Sequence, residues 1–281
     1  MRVLVLGSTG LLGQALMAGF KNSQYEGFGT IRSSEFTDFF PKESHRYLIK
    51  LENVFDLQKL DSLLDDMLID VLINCISTPD VNNKKEDELG KVFSEFPNSL
   101  SNLCKQKNIR LLQISSDGVF SGKKGNYSES DKPDPIDLYG KAKLRGEKYE
   151  DDQLIIRTSM IGHDKIKHSG LLEWFMNQKE CALYTNYIFS GLTTNELSRI
   201  IKDYILINSS LSGVYHVAAN PISKFKLLTL VAEIYNLKIN INKDDSVKMD
   251  RSLSQKKFFE DTGYIAPSCP ELISRMNRGE Y

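Results

Sequence analysis

Cysteine is scarce in this chain, and its spacing predicts neither disulfide bonds nor a zinc site. The four cysteines are Cys75, Cys104, Cys181 and Cys269, which are widely scattered and include no Cys-x-x-Cys pair. Scattered cysteines of this kind favour reduced thiols in a cytoplasmic protein. The four histidines also lack the spacing of metal ligands, so we expect no metal site.

A strong net charge and a long apolar run are also missing. The 281 residues include 36 Lys and Arg against 37 Asp and Glu, which gives a formal charge of -1. A nearly neutral chain has no overall field that attracts nucleic acid or an anionic membrane. No apolar run approaches the ~18 residues that can span a bilayer. The first predicted strand begins at residue 2, so we expect no signal peptide and a globular cytoplasmic protein.

The first feature that is present is a glycine-rich turn after an apolar strand. Arg2–Leu6 is a continuous apolar run, and a helical pattern follows the turn. A Gly-x-x-Gly-x-x-Gly turn in this position allows a close backbone approach and opens a helix whose free amides can hold a pyrophosphate. The cofactor-binding residues predicted here are Gly7, Ser8, Thr9, Gly10, Leu11, Leu12 and Gly13.

The second predicted strand bears on the choice of cofactor. It ends in Thr30-Ile31-Arg32-Ser33-Ser34, where a site that prefers NAD usually has an acid for the ribose 2′-hydroxyl. The cation and hydroxyls predict a 2′-phosphate instead, so we expect NADP(H) to be preferred over NAD(H). The alternative is that Arg32 is an ordinary exposed arginine. The strand predicted at Asp70–Ile76 should also end beside the cofactor, which adds Cys75, Ile76 and Ser77 to the predicted site.

A hydroxyl pair and a Tyr-x-x-x-Lys motif carry the predicted chemistry. Ser115 and Ser116 follow the apolar strand Ile109–Ile114, and the i,i+4 spacing places Tyr139 and Lys143 on one helix face. A nearby ammonium favours the phenolate, so we expect Lys143 to lower the pKa of Tyr139 and make it a proton donor to a carbonyl. The alternative is a solvated Tyr and Lys on a surface helix.

Strands alternate with helices as far as Thr158, and the alternation loosens beyond it. This pattern predicts an α/β fold, a Rossmann-type doubly wound parallel sheet with a smaller C-terminal α/β lobe. We predict an NADP-binding Rossmann domain over residues 1–158 and a mainly substrate-binding lobe over residues 159–281, of which some segments return to the first domain. The substrate's nucleotide is expected between the lobes, near 163–174. His216 is read as a core residue, and Trp174 as either a core residue or a stacking platform.

Taken together, these motifs resemble the extended short-chain dehydrogenases/reductases, and within them the dTDP-4-dehydrorhamnose reductase branch. The supporting stretches are 116–122, 137–147, 156–159, 213–217 and 221–223. The resemblance implies that Tyr139 is the general acid, that Lys143 also holds the nicotinamide ribose, and that Ser116 binds the carbonyl. It implies an NADPH-dependent reductase of a nucleotide-linked 4-keto-6-deoxy sugar that acts in the biosynthesis of surface polysaccharide precursors. The expected partner is a nucleotide-sugar substrate, and formation of a homodimer is left open.

Three departures from the family pattern limit the transfer. Rhamnose reductases usually have tyrosine where Gly118 stands, which predicts a remodelled sugar pocket. Dehydratases have Asp-Glu after the triad hydroxyl, whereas this chain has Asp117-Gly118, so dehydration is not expected. Many members have asparagine near Ser94. Two alternatives remain: a nucleotide-sugar 4-epimerase with bound NAD, and a non-catalytic dinucleotide-binding regulatory subunit.

Overall fold

A computed structural model describes residues 1–21, 23–78, 81–148 and 153–281. The strands, numbered in chain order, are β1 Arg2–Leu6, β2 Glu26–Ile31, β3 Leu48–Lys50, β4 Val71–Asn74, β5 Arg110–Ile114, β6 Leu154–Arg157, β7 Met160–Ile161, β8 Glu180–Phe189, β9 Leu192–Thr193, β10 Gly213–His216, β11 Ile222–Ser223 and β12 Asn240–Asp250. The α-helices are α1 Leu11–Phe20, α2 Leu57–Met67, α3 Glu86–Gly90, α4 Phe96–Gln106, α5 Leu138–Arg145, α6 Leu171–Met176, α7 Thr194–Ile200, α8 Lys224–Ile234, α9 Lys256–Thr262 and α10 Cys269–Arg278.

Seven of these strands form one parallel sheet in the order β10-β6-β5-β4-β1-β2-β3. Helices cover both faces of the sheet. Successive side chains of a strand point to opposite faces, so neighbouring residues enter different cores. Val3 and Val5 of β1 pack with α1 and α7 on one face. Leu4 and Leu6 pack with α2 and α4 on the other. The predicted doubly wound α/β sheet is therefore confirmed.

The C-terminal lobe contains a second, smaller sheet. Strand β8 pairs in parallel with β12 and antiparallel with β11. Its apolar side packs with α6, α8 and α10 in a separate cluster. Strand β10 lies at the edge of the main sheet beside β6, so part of the segment after residue 158 returns to the Rossmann sheet.

Several predicted element bounds need correction. The sequence pattern predicts a strand at 237–241, whereas β12 covers Asn240–Asp250, and it does not predict β8. The sequence pattern also predicts a helix from Ile136 to Glu150, whose predicted end lies outside the described residues. In the structure α5 begins at Leu138 and ends at Arg145. A further helix is predicted at 92–106. In the structure it begins earlier, because α3 continues through the π-helical turn Lys91–Glu95 into α4. In the part of the chain that the structure describes, no helix combines the length and apolarity needed to cross a membrane.

Candidate active site

The glycine turn between β1 and α1 fits a phosphate group. Gly7 has φ +82°, a conformation that side chains rarely adopt, and its carbonyl accepts the amide of Gly10 at 2.9 Å. A Cβ at Gly13 would lie 2.2 Å from the Gly7 oxygen, so α1 can approach the turn this closely only with glycine there. No described side chain caps the N-terminus of α1. Its first amides are therefore free to donate to an anion.

An outer cleft of about 310 Å³ extends from this turn along the carboxyl ends of β1, β2 and β4. Eight predicted cofactor residues line it: Gly7, Thr9, Gly10, Leu11, Arg32, Cys75, Ile76 and Ser77. Two others do not. Ser8 is fully buried and its hydroxyl donates to the Thr30 carbonyl at 2.7 Å, while Gly13 packs against the turn.

One loop from the C-terminal half of the chain also lines the outer cleft. Asp164, Lys167 and Ser169 line this cleft, although 163–174 was expected beside the substrate's nucleotide. The Asp164 carboxylate is engaged by its own loop, because it accepts the Ser169 hydroxyl at 2.7 Å and the Lys167 amide at 2.9 Å. Gln14 of α1 also donates to it at 2.9 Å, which ties the loop to the glycine helix. Arg32 and Lys167 are the cations that line the cleft.

A neighbouring inner cleft of about 290 Å³ brings the predicted catalytic residues together. Ser116, Tyr139 and Lys143 line it with Gly10, Leu11, Leu12 and the segment Cys75–Ser77. These residues come from the ends of β1, β4 and β5 and from α5. The carboxyl ends of parallel strands are where ligands bind in such sheets. The inner and outer clefts share residues 10, 11 and 75–77, so one elongated ligand can reach both.

Tyr139 occupies an apolar position in the inner cleft. Its ring makes an edge contact with Phe93 at a centroid distance of 5.2 Å. Burial raises the pKa of Tyr139 to about 12, and a hydrogen bond with Ser116 acts in the opposite direction. The expected lowering of this pKa by Lys143 was wrong, because desolvation of the phenolate outweighs the interactions that lower the pKa.

The ammonium of Lys143 is directed to the strand and not to the phenol. Its Nζ donates to the Ile114 carbonyl at 3.0 Å and lies 6.0 Å from the centroid of the Tyr139 ring. Burial lowers the pKa of Lys143 to about 8, although Cys75 and Glu147 act to raise it. The group therefore loses its proton far more readily than an ordinary lysine, whose pKa is about 10.4.

The two serines after β5 have different partners. The Ser115 hydroxyl donates to Glu147 at 2.5 Å, and Glu147 pairs with Arg157 at 2.7 Å, with both charged side chains almost fully buried. This network joins the ends of β5 and β6 to the segment that follows α5. Ser116 lies in the inner cleft, where it donates to Asp117 at 3.1 Å and accepts the Gly118 amide at 3.0 Å.

Asp117, to which the sequence pattern assigns no role, is hydrogen-bonded at the inner cleft. Its second oxygen accepts the Ser159 hydroxyl at 2.8 Å, so it lies between two hydroxyls at the inner cleft. Burial raises its pKa, while the hydrogen bond from Ser159 and the charge of Arg251 act in the opposite direction. The sequence signal was its place immediately after Ser116.

The remaining interpretations have mixed outcomes. His216 is fully buried, and its Nδ1 lies 2.9 Å from the Tyr127 carbonyl oxygen, which confirms that it is a core residue. Trp174 on α6 is 45% exposed, so packing in the core was the wrong alternative. Ser94, where many family members have asparagine, donates to the Ala142 carbonyl of α5 at 2.8 Å. That contact fixes the π-helical turn Lys91–Glu95 against α5.

A glycine turn before α1 and a Ser/Tyr/Lys cleft at the carboxyl ends of a parallel sheet define a dinucleotide-binding protein of the extended short-chain dehydrogenase/reductase class. The family described as "RmlD substrate binding domain" matches residues 1–245. The chain belongs to this family. The predicted resemblance to the dTDP-4-dehydrorhamnose reductase branch is thereby confirmed, as is the class of NAD(P)-dependent oxidoreductase.

Individual relatives are distant but span most of the chain. A probable low-salt glycan biosynthesis reductase, Agl14, from Haloferax volcanii is 27% identical over 233 residues, which is 78% of this chain and 75% of that protein. Methionine adenosyltransferase 2 subunit beta from Danio rerio is 25% identical over 253 residues, which is 84% of this chain and 74% of that protein.

Solved structures give the same fold. A hypothetical dTDP-4-dehydrorhamnose reductase from Sulfolobus tokodaii is 26% identical with a TM-score of 0.79, covering 96% of this chain and 98% of that one. A dTDP-glucose 4,6-dehydratase from Bacillus anthracis in complex with NAD has a TM-score of 0.81 at 14% identity, covering 99% and 96% of the two chains. At that identity the likeness concerns the fold alone.

Proposed function

We propose that this protein uses NADPH to reduce the 4-keto group of a nucleotide-linked 4-keto-6-deoxy sugar. The observation that carries the proposal is that Ser116, Tyr139 and Lys143 line one cleft that continues into the glycine turn. A cytoplasmic role in making surface polysaccharide precursors is part of the proposal, and the similarity to a glycan biosynthesis reductase supports it.

The cofactor belongs to the proposal because the cleft residues suit it. The turn and the uncapped N-terminus of α1 suit a pyrophosphate, and Arg32 and Lys167 suit a 2′-phosphate. Asp164, the acid in the outer cleft, already accepts hydrogen bonds from Ser169, Lys167 and Gln14. It is therefore poorly placed to select a ribose 2′-hydroxyl. When bound, NADPH supplies the hydride that goes to the carbonyl carbon.

Ser116 binds the carbonyl oxygen and Tyr139 protonates it. The Ser116 hydroxyl turns from Asp117 to donate its hydrogen bond to this oxygen, and Tyr139 transfers its phenolic proton to it. With a pKa of about 12, Tyr139 is protonated at neutral pH, which is the form that can donate. The alkoxide that develops at C4 is more basic than a phenolate, so this proton transfer is favourable. Lys143 is the cation near the phenolate that remains and stabilises it.

The experiment is to mix the protein with NADPH and 4-keto-6-deoxy sugars linked to dTDP, UDP, GDP or CDP, and to follow NADPH oxidation. We expect oxidation with at least one of them. The matched control is Tyr139→Phe, which should bind NADPH normally but turn over ~10²–10⁴-fold more slowly.

Two other outcomes would replace the proposal. NADPH binding without oxidation in any mixture would favour a non-catalytic dinucleotide-binding subunit, in line with the similarity to a methionine adenosyltransferase subunit. Retention of NAD through purification, with interconversion of C4 epimers, would favour an epimerase.

A further inference from the structure

Arg251 is an almost buried cation at the N-terminal end of the catalytic helix. It follows β12 directly and is 8% exposed. Its Nη2 donates at 2.9 Å to Asp137, whose other oxygen accepts the Gly140 amide and so caps α5. A Cβ built at Gly122 would lie 3.2 Å from the Arg251 Cγ. The arginine stem thus lies against a glycine turn, and its head group is held next to the helix that carries Tyr139.

One donor of this guanidinium has no acceptor. Nε of Arg251 is buried and makes no hydrogen bond in the described structure. Three buried side-chain atoms have no hydrogen-bond partner in the described structure, and Nε of Arg251 is the one that belongs to a charged group. The other two belong to Asn98 and Thr229. Leaving a buried donor unpaired is unfavourable, and more so for a charged group. Such a donor is expected where the missing acceptor arrives with a ligand.

The C-terminal lobe contains a second cation, which lies next to a phenol. Lys224 begins α8, is partly exposed, and has its Nζ 3.9 Å from the centroid of the Tyr187 ring. Burial lowers the pKa of Lys224, and Asp117 acts in the opposite direction. Arg251 and Lys224 both lower the pKa of Asp117, which is raised chiefly by burial. Arg251 and Lys224 therefore both act electrostatically on the acid that is hydrogen-bonded to Ser116.

We propose that Arg251 and Lys224 bind the diphosphate of the substrate, with Nε of Arg251 as a donor to a phosphate oxygen. This inference rests on the proposed function and names the residues that recognise the anionic part of that substrate. In a hexose, C1 and C4 are opposite corners of the ring. A phosphate on C1 therefore lies about one sugar width from the carbonyl at Ser116 and Tyr139, on the side where the lobe supplies the cations. Guanidinium groups suit phosphate oxygens because they offer several donors in a fixed plane.

The experiment measures binding and does not depend on turnover. Calorimetric titration of the NADPH-saturated protein first identifies which of dTDP, UDP, GDP and CDP binds best. The affinity of that nucleoside diphosphate is then compared with those of the monophosphate and the nucleoside that have the same base. The variants are Arg251→Met and Lys224→Met, and the control is Lys226→Met, which removes an exposed cation from the same helix.

We expect the wild type to prefer the diphosphate over the nucleoside. Arg251→Met should weaken diphosphate binding by roughly ten- to hundredfold, the range for losing one charge-assisted hydrogen bond. Lys224→Met should weaken it by less, and Lys226→Met should not change it. Nucleoside and NADPH affinities should stay the same in all three variants.

A second variant separates ligand binding from a structural latch between Arg251 and Asp137. Asp137→Asn removes the ion pair but keeps the helix cap, because asparagine caps about as well as aspartate. If Arg251 binds phosphate, Asp137→Asn keeps or tightens diphosphate binding. The proposal is overturned if Asp137→Asn is as damaging as Arg251→Met, if Arg251→Met weakens nucleoside and diphosphate equally, or if the wild type has no preference for the diphosphate. Failure of the reductase assay with these binding differences intact would reject the reaction and leave the anion site standing.

Discussion

Replacing Lys143 with methionine should stabilise the folded protein while abolishing its activity. Methionine has similar length and no charge. Burial lowers the pKa of Lys143 from 10.5 to about 8. One pKa unit corresponds to ~1.4 kcal/mol, so keeping this ammonium charged in the folded state costs on the order of 3 kcal/mol. Methionine removes that cost. It also leaves the Ile114 carbonyl without its donor, which reduces the gain in stability by ~1 kcal/mol. We expect a net gain of roughly 2 kcal/mol in the free energy of unfolding at pH 7.

The pH dependence distinguishes this cause from improved packing. Between the folded pKa near 8 and the unfolded pKa of 10.5, the unfolded chain holds the proton that the folded chain has released. The stability of the wild type therefore gains a contribution from Lys143 as the pH rises through this window. The Lys143→Met variant lacks that contribution. Its advantage should be largest below pH 8 and should shrink as the pH rises towards 10.5.

Urea unfolding of both proteins from pH 7 to pH 9.5 is the assay, with Lys141→Met as the control. Lys141 lies on the same helix but is exposed, so its replacement should change the free energy of unfolding by less than ~0.5 kcal/mol at every pH. A variant less stable than the wild type at pH 7 would refute the reasoning. So would an advantage that does not change with pH.

Three further predictions concern other parts of the site. Arg32→Ala should lower kcat/KM for NADPH by roughly tenfold and leave the value for NADH nearly unchanged, because one exposed charge-assisted bond is lost; equal losses for both cofactors in low-salt kinetics would remove Arg32 from the site. Addition of NADPH should slow hydrogen exchange in 164–169, since this loop lines the outer cleft; protection that appears only with a nucleotide sugar would contradict that placement. Glu147→Ala should lower the free energy of unfolding by ~3–5 kcal/mol, because it leaves the buried Arg157 without this carboxylate. The control Glu271→Ala removes an exposed carboxylate and should lower that free energy by less than ~1 kcal/mol in urea titrations.

The Rossmann half of the molecule could be predicted from sequence because its signals are local. Strand β1 is a continuous apolar run, and the turn after it has glycines at the positions where the backbone has no room for a Cβ. The spacing of Tyr139 and Lys143 likewise places both on one face of α5. These patterns depend on neighbouring residues, so no knowledge of tertiary contacts is needed to interpret them.

The direction of the Lys143 side chain could not be predicted in the same way. Helical spacing shows that the lysine and Tyr139 share a face, but it does not show what the ammonium contacts. The acceptor is the Ile114 carbonyl, 29 residues earlier in the chain. The sign of the Tyr139 pKa shift followed from burial, which is a property of the assembled fold.

The lobe was harder to predict for a related reason. Strand β12 has the sequence NINKDDSVKMD and is partly exposed along its length, so it lacks the apolar alternation that identifies a strand. Its pairing with β8 shifts register between Asp244 and Lys248, which breaks the period further. Arg251 and Lys224 reach the site from this lobe, more than 80 residues beyond Tyr139 in the chain. No local motif connects them to it.

The fold alone does not decide between reduction and dehydration, because a dehydratase shares it as fully as the reductases do. The site does favour one of them. In the family pattern, dehydratases have a second acid at the position of Gly118. A Cβ at Gly118 would lie 3.2 Å from the Ser116 Oγ and 3.4 Å from a ring carbon of Tyr139, so a side chain at this position stands against the reacting groups. Glycine supplies no carboxyl group there, and the remaining acid, Asp117, is already hydrogen-bonded to Ser116 and Ser159. In the proposed reaction, proton transfer to the carbonyl oxygen therefore depends on Tyr139, and a single proton donor is what reduction of a ketone requires.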